Sequence, residues 1–309
     1  MSGRKIIKVS VVTPVHNRRE ITLLCLRSLA RLDIENLKLH IVIVDDGSTD
    51  GTSEAIKKEF PNVEIVKANG SLWFTEGTNV GIRHALKGNP DYILMINDDQ
   101  VFDSKFLKYM VETAEKYPRS VVGSLLLLWD VPHKLFQVAP IWNTLKGGWQ
   151  HWEQQTIWTI PIQPWEVDII VGNCVLVPVE AIQEQGLMNS KRYPNFGDAE
   201  YTPRLKRNNW RLLIDPRARV FCQPNITPKR IGSMSLKEKF NALFLNLGHG
   251  QNLRRHFYHY VDSAPSRLQG FIGFIIFFIN AFLQKGLGIS KSKSETDISL
   301  LFANTVIKD

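Results

Sequence analysis

The sequence predicts an α/β fold with a mostly parallel, doubly wound sheet, flanking helices and a helical C-terminal extension. Three observations carry this expectation. From residue 8 to about 126, short Val- and Ile-rich runs without strict polar alternation recur, as expected of strands buried on both faces. Segments of helical spacing separate them, and repeated β–α units of this kind build parallel sheets. Each apolar run is followed by a polar turn: PVHN, DDGSTDGT, ANGSLWFTEGTN and NDDQ.

The expected strands are Lys8–Thr13, Leu39–Asp45, Val63–Lys67 and Tyr92–Ile96. Arg18–Arg31, Asp50–Glu59, Glu76–Leu86 and Asp103–Tyr117 are the expected helices, with Ser48 and Asp50 as caps for the second. Residues 127–165 break the pattern, with Trp129, Trp142, Trp149, Trp152, Trp158 and Trp165 among scattered Pro and Gly. They fit either a loop-rich acceptor platform, since aromatic faces stack on sugar rings, or a satellite core under long loops.

Further on, EVDIIVGNCVLVP reads as two strands about a turn at Gly172-Asn173. A helix, the segment NFGDAEYTPRLKRNNW and two short strands ending near Cys222 follow. Ser235–His256 reads as a basic helix. Leu268–Leu283, about sixteen residues, is short of the roughly 20 that span a bilayer. It can be a buried helix, an oligomer contact or a membrane-surface helix, and the basic Arg254, Arg255, Arg267 and Lys285 around it favour the last. The Ser/Lys tail from Ser290 is expected to lack fixed structure. The boundary of the extension is set at 225/226, giving a catalytic unit over 1–225 and the extension over 226–309.

Composition limits the function classes. With 44% hydrophobic and 22% charged residues the chain is globular, and its net charge of +8 suits an anionic partner, whether a phosphate-bearing ligand, an acidic membrane surface or nucleic acid. Cys25, Cys174 and Cys222 form no CxxC pair, which fits a reducing compartment. The N-terminal apolar stretch is short and strand-like, with no cleavage site after it, so a cytoplasmic location is expected. The sequence contains no GxxxxGK[ST] loop, no GxGxxG after the first strand, no HExxH and no GxSxG. His249, His256 and His259 read as one polar helix face.

Ligands of doubly wound sheets bind beyond the carboxyl ends of the strands, which points to the polar turns. Asn97-Asp98-Asp99 follows a strand directly, and clustered oxygens there suit Mg2+ or Mn2+ shared with a diphosphate. Asp45-Asp46 can accept hydrogen bonds from a nucleobase and a ribose, or these residues can serve the local turn and cap. Asp198 and Glu200, two apart on a helix, point to different faces. One can act as a general base while the other orients it or is structural, and Arg204 can pair with either.

The order PVHN, VDDGSTDGT, SLWFTEGTNVGIRHAL, ILMINDDQ, GNCVLVP and FGDAEYTPRLKRNNW resembles the family-2 inverting glycosyltransferases of the GT-A fold, a Rossmann-like architecture, over about residues 7–225. It is most similar to rhamnosyltransferase-like members of bacterial polysaccharide pathways. The resemblance implies that Pro14 and Asn17 lie in the first nucleotide-contacting loop and that Asp46, with Asp45 beside it, binds the nucleobase. It implies that Gly77, Asn79 and Arg83 frame the donor, and that Asp99, with Asp98 next to it, holds the metal. Asp198 is implied as the general base toward the acceptor, with Trp73, Gly172, Asn173, Glu200 and Arg204 in supporting positions. Two departures stand out: Asn97 at the first DxD position removes a charge, and Gly197-Asp198 replaces the common Glu-Asp pair.

The implied reaction transfers a sugar from a dTDP-, UDP- or GDP-sugar to a hydroxyl of a glycan or lipid-linked acceptor, with inversion, in cell-envelope polysaccharide synthesis. The enzyme would sit in the cytoplasm, peripheral to the inner face of the membrane, and nucleic acid is not an expected partner. An inactive sugar-nucleotide-binding scaffold subunit is the alternative. A sugar-1-phosphate nucleotidyltransferase shares the layout but carries a Gly-rich loop that PVHNRRE lacks.

Overall fold

The computed structural model describes residues 6–137, 141–150, 155–223, 235–247, 249 and 252–286. Trp152, the 225/226 boundary and the tail from Ser290 lie outside the described residues.

Four strands rich in β-branched residues open the chain: β1 (Ile7–Val15), β2 (Leu37–Asp46), β3 (Glu64–Ala68) and β4 (Tyr92–Ile96). They alternate with α1 (Arg19–Leu29), α2 (Thr52–Glu59) and α3 (Trp73–Ala85), and the four strands pair in parallel in the order β3-β2-β1-β4. Both sheet faces are covered, which explains the continuous apolar runs. Along β1, Val9, Val11 and Val15 enter the cluster with Leu26, Leu29 and Phe106, while Val12 enters the one with Ile82 and Met95. The strand order reverses between β1 and β4, so a crevice opens beyond their carboxyl ends.

Past β4, β5 (Gln100–Phe102) and α4 (Phe106–Lys116) lead to β6 (Ser120–Leu128), β7 (Leu135–Gln137), the hairpin β8 (Ile141–Asn143) and β9 (Gly148–Gln150), and β10 (Trp165–Glu166). β11 (Cys174–Pro178) inserts antiparallel between β4 and β6, and after α5 (Val179–Gln185) and α6 (Asp198–Arg207) comes β12 (Arg211–Cys222), parallel to β6. The sheet is therefore mixed, with β4-β1-β2-β3 as its continuous parallel half.

Several sequence expectations need correction. EVDIIVGNCVLVP is not a hairpin: β10 pairs with β12, and Ile169 and Ile170 are buried outside any ladder. The two short strands before Cys222 are one strand, whose pairing with β6 shifts register between Asp215 and Arg219. Pro216 lies in that bulge, where a residue with no N–H to donate is tolerated. The Ser235–His256 helix is broken into α7 (Leu236–Phe240), a π-turn over Asn241–Leu245 and α8 (Leu253–Ser263), which Asn252 caps by accepting from Arg255 N–H at 3.0 Å. Ser48 does not cap α2; its hydroxyl accepts the Asn17 N–H.

α9 (Arg267–Gly286) packs along α8, and the Trp-rich segment packs beneath it: Trp142 meets Trp149 and Tyr260 edge-on, and Trp149 Nε1 donates to Ser263 at 2.8 Å. These tryptophans serve as a satellite core, whereas Trp158 is exposed. α8 also docks on α6, and Tyr193 donates to Asp262 at 2.6 Å while Arg192 pairs with the same carboxylate. All three cysteines are buried free thiols.

Candidate active site

The crevice at the β1/β4 switch is lined by Pro14, Val15, His16, Arg18, Asp46, Trp73, Phe74, Asn97 and Asp98. Its floor is made by the loops after β1 and β2, which are tied to each other. Asn17, at φ 50°, accepts the Thr49 N–H at 2.7 Å with its side chain, and His16 Nδ1 donates to the Asp46 carbonyl at 2.6 Å. Asp46 accepts the N–H groups of Gly70 and Leu72 at 2.8 and 2.9 Å, fixing the loop that enters α3. Asp45 points inward instead, accepting the Ser48 N–H and the Ser53 hydroxyl, so it shapes the turn. Trp73 opens α3 at φ 58°, a left-handed conformation that is an outlier for a bulky residue, and leaves its side chain exposed at the rim.

Gly77, Asn79 and Arg83 do not line the crevice. A Cβ on Gly77 would fall 2.7 Å from Pro14 Cβ, so this glycine lets α3 close on β1. Asn79 is buried and spends its amide on the Met188 backbone, donating at 2.8 Å and accepting at 3.2 Å. Arg83 pairs with Glu76. These three build the wall from behind.

Asp98 is buried and accepts the Thr22 hydroxyl at 3.0 Å, while Asp99 is part-exposed. Arg18 bridges them: Nη1 lies 2.9 Å from Asp98 Oδ1 and Nη2 lies 3.0 Å from Asp99 Oδ2. Burial pushes the Asp98 carboxyl up to about 6, against the opposing pull of Arg18. Sequence reasoning missed Arg18, His16 and Phe74. The signal for Arg18 was its place immediately after PVHN, in a loop already expected to meet the donor.

The second half of the site hangs from the turn before β11. Asn173 accepts the Asn97 N–H at 3.1 Å, and the neighbouring Gly172 N–H donates to Asp198 Oδ2 at 2.8 Å. Two consecutive residues thus span from the Asn97–Asp99 motif to the carboxylate that starts α6. A Cβ on Gly172 would lie 2.6 Å from Asp198 Cγ, so glycine alone admits this approach. Gly197 is likewise required, since a Cβ there would meet Thr75 Cγ2 at 2.5 Å, which accounts for the departure from Glu-Asp. Burial raises the Asp198 carboxyl above the usual carboxylate range, opposed by the Gly172 N–H and by Arg255 of α8. Arg255 lies over the Phe196 ring, its guanidinium carbon 3.5 Å from the centroid. Glu200 turns the other way and pairs with Arg204 at 2.8 Å, and Arg204 also donates to the Gln185 and Leu187 carbonyls. This assigns Glu200 and Arg204 to the α5–α6 connection and leaves Asp198 beside the crevice motif.

The donor set fits a hard divalent ion. Asp98 and Asp99 already converge on one cation, and the buried Asn97 Oδ1 has no hydrogen-bond partner. Among the described residues no third His, Cys, Asp or Glu closes a cage, so phosphate and water oxygens would complete the shell, as such ions prefer in nucleotide sites.

Comparison with known proteins agrees with this geometry. The Glycosyl transferase family 2 model matches residues 10–146. An N-acetylglucosaminyl-diphospho-decaprenol L-rhamnosyltransferase of Mycobacterium tuberculosis is 24% identical over 218 residues, 63% of this chain and 70% of that protein. Among solved structures, a mannosyltransferase of Pyrobaculum calidifontis in complex with GDP-Man and Mn2+ aligns with TM-score 0.53 at 15% identity, covering 96% of this chain and 79% of its own. S. aureus TarS 1-349 in complex with UDP-GlcNAc aligns with TM-score 0.54 at 16% identity, covering 93% and 74%. At these identities the solved structures speak for the fold. Motif order, sheet order and the matched region coincide: residues 10–146 carry a glycosyl transferase family 2 domain, and the chain is a glycosyltransferase of the GT-A fold.

Proposed function

We propose that the chain transfers a sugar from a nucleotide diphosphate donor to a hydroxyl of a lipid-linked or polysaccharide acceptor, with inversion at the anomeric carbon. The observation that carries this is the Gly172–Asn173 turn, which sets Asp198 beside the Asn97–Asp99 motif. In this reading Asp46 and Trp73 face the nucleoside and Asp98–Asp99 face the diphosphate. Asp198 accepts the proton of the acceptor hydroxyl; the oxygen bonds to the anomeric carbon as the bond to the β-phosphate breaks. Attack opposite the leaving group turns an α-linked donor into a β-linked product, and a β-linked donor such as dTDP-rhamnose into an α-linked one. Mg2+ or Mn2+ held by Asp99, with Asp98 beside it, would neutralise charge on the departing diphosphate. The raised pKa of Asp198 suits a base, because a carboxylate of ordinary pKa holds a proton too weakly to draw one from a hydroxyl. An inactive scaffold is disfavoured, since nothing in nucleotide binding alone would require a buried carboxylate suspended beside the crevice.

The rhamnosyl-diphospholipid chemistry named for the mycobacterial relative makes dTDP-rhamnose the first donor to try. The C-terminal region supports a lipid-linked acceptor. Leu268, Phe271, Ile272, Ile275, Phe278 and Ile279 form an exposed apolar stripe on α9 at helical spacing. No helix among the described residues is long and apolar enough to cross a membrane, so the stripe suits a helix lying in the bilayer surface.

The test is thermal stabilisation by dTDP-, UDP- and GDP-sugars with and without Mn2+, on the wild type and Asp99→Ala. Stabilisation by one nucleotide class that depends on Mn2+ and is lost in Asp99→Ala is expected. Stabilisation by no nucleotide, or equal stabilisation of Asp99→Ala, refutes the donor site. Co-sedimentation with phosphatidylglycerol vesicles tests α9: binding should fall in Phe271→Ser/Phe278→Ser, and an unchanged bound fraction removes the membrane reading.

A further inference from the structure

We propose that Arg18 is a resident counter-cation of the donor site, exchanged for the divalent ion and the donor diphosphate, so that metal and nucleotide bind together and not metal first. The inference rests on the reading of Asp98–Asp99 as the metal-facing pair. Its ground is the geometry of one side chain. The Arg18 fork spans both carboxylates, one nitrogen to each, at 2.9 and 3.0 Å. Adjacent carboxylates of which one has a side chain only 5% exposed need a cation close by, because water cannot screen them. A divalent ion at bonding distance from the same oxygens would face the guanidinium as a like charge, so the two compete.

Arg18 is also built to leave. Its backbone is held by its neighbours: Asn17 N–H donates to Ser48, and Arg19 N–H donates to Asp50 at 3.0 Å. The side chain lines the crevice with 41% of its surface exposed, so it can turn without disturbing the core. A planar guanidinium freed from two carboxylates has the donor geometry that grips phosphate oxygens in pairs. The site would thus pass between two neutralised states, one closed by Arg18 and one by the metal with the diphosphate, where Arg18 moves from protein carboxylates to phosphate.

Mn2+ binding measured by the electron paramagnetic resonance of the free ion tests this without turnover. Wild type, Arg18→Gln and Arg18→Lys are titrated alone and with UDP, dTDP or GDP. Without nucleotide, Arg18→Gln should bind Mn2+ about fivefold or more tightly than wild type, with Arg18→Lys between, as expected for loss of a partly exposed charge pair. The matching nucleotide should tighten Mn2+ binding to the wild type by a larger factor than to Arg18→Gln, because only the wild type has a competitor to move. Equal Mn2+ affinity of wild type and Arg18→Gln without nucleotide overturns the exchange while leaving the metal site standing. Failure of every form to bind Mn2+, even with nucleotide, overturns the metal reading and this proposal with it. Melting curves of the three proteins, recorded alongside, identify any loss of folding.

Discussion

Replacing Gly172 with alanine tests the suspension of the base from backbone. The new methyl would start 2.6 Å from Asp198 Cγ and closer still to its Cβ. Carbon atoms pack at about 3.5–4.0 Å, so the turn and the head of α6 must separate by roughly 1 Å. The Gly172 N–H survives the substitution, so any effect comes from displacement and not from loss of a donor. A misplacement of about 1 Å in a reacting group costs on the order of 100-fold in rate. Overpacking should cost about 1–3 kcal/mol of stability, a fall of several degrees in Tm. Because the donor crevice is made by other loops, the loss should fall on kcat while nucleotide-induced stabilisation persists. Gly88→Ala is the control, since a Cβ there meets open space. Steady-state kinetics with the identified donor, beside melting curves, give both numbers. If Gly172→Ala keeps kcat within threefold of wild type, or if nucleotide binding falls as far as kcat does, the account of this turn is wrong.

Substitutions at three more positions probe the rest of the site. Asp198→Asn keeps an oxygen for the Gly172 N–H but cannot take a proton, and turnover should drop by about 100-fold or more; retention of most of the rate would dismiss Asp198 as the base. In the wild type the base acts deprotonated and its pKa is raised by burial, so kcat/KM should fall on the acid side at higher pH than an ordinary carboxylate would give. The sign for stability is the reverse: a raised folded pKa contributes stability at low pH that is lost as pH rises through it. Asp198→Asn should therefore melt above wild type at neutral pH, with the difference closing on acidification. Trp73 holds a left-handed conformation, so Trp73→Gly should be about 1 kcal/mol more stable than Trp73→Ala, while both weaken nucleotide binding; equal stabilities would mean no strain is held there. Asn79→Ala strands the Met188 N–H, while the Met188 C=O keeps the Ser190 N–H, and should cost about 1–3 kcal/mol, with nucleotide-induced stabilisation retained once the lower Tm is taken into account. A large loss of nucleotide binding in a variant of unchanged Tm would return Asn79 to the donor site.

The parallel half of the sheet was legible because its signal is local. Val and Ile runs bounded by Asp, Asn and Gly turns place β1 to β4 within a residue or two, and with them Asp46, Asp98 and Asp99. The helix that Asp198 and Glu200 open was legible for the same reason. What escaped depends on partners distant in sequence. EVDII suggests a strand by composition, but the neighbour it would need is occupied, since β11 is already flanked by β4 and β6. Asn79 has the residue type of a ligand contact, and only the fold shows its amide turned to Met188 across 109 positions of sequence. Ser48 precedes a helix as a cap should, yet Asn17 claims it. Arg18 reads as an ordinary surface cation until β1 and β4 are side by side.

The way Asp198 is suspended also bears on how such an enzyme can change its acceptor. Asp198 takes its position from a main-chain N–H, and the next residue ties the same turn to the crevice motif, so the span between the proposed base and the motif proposed to face the diphosphate is written in backbone. Side chains on the side proposed to meet the acceptor, among them Arg255 over Phe196 and the aromatic packing of α8 against the Trp142–Trp149 hairpin, lie outside that linkage. They can be exchanged without resetting the reaction distance. New acceptor specificities are therefore best sought by recombining α8, α9 and the tryptophan hairpin as one block on an unaltered Asn97–Asp99, Gly172–Asn173 and Gly197–Asp198 frame.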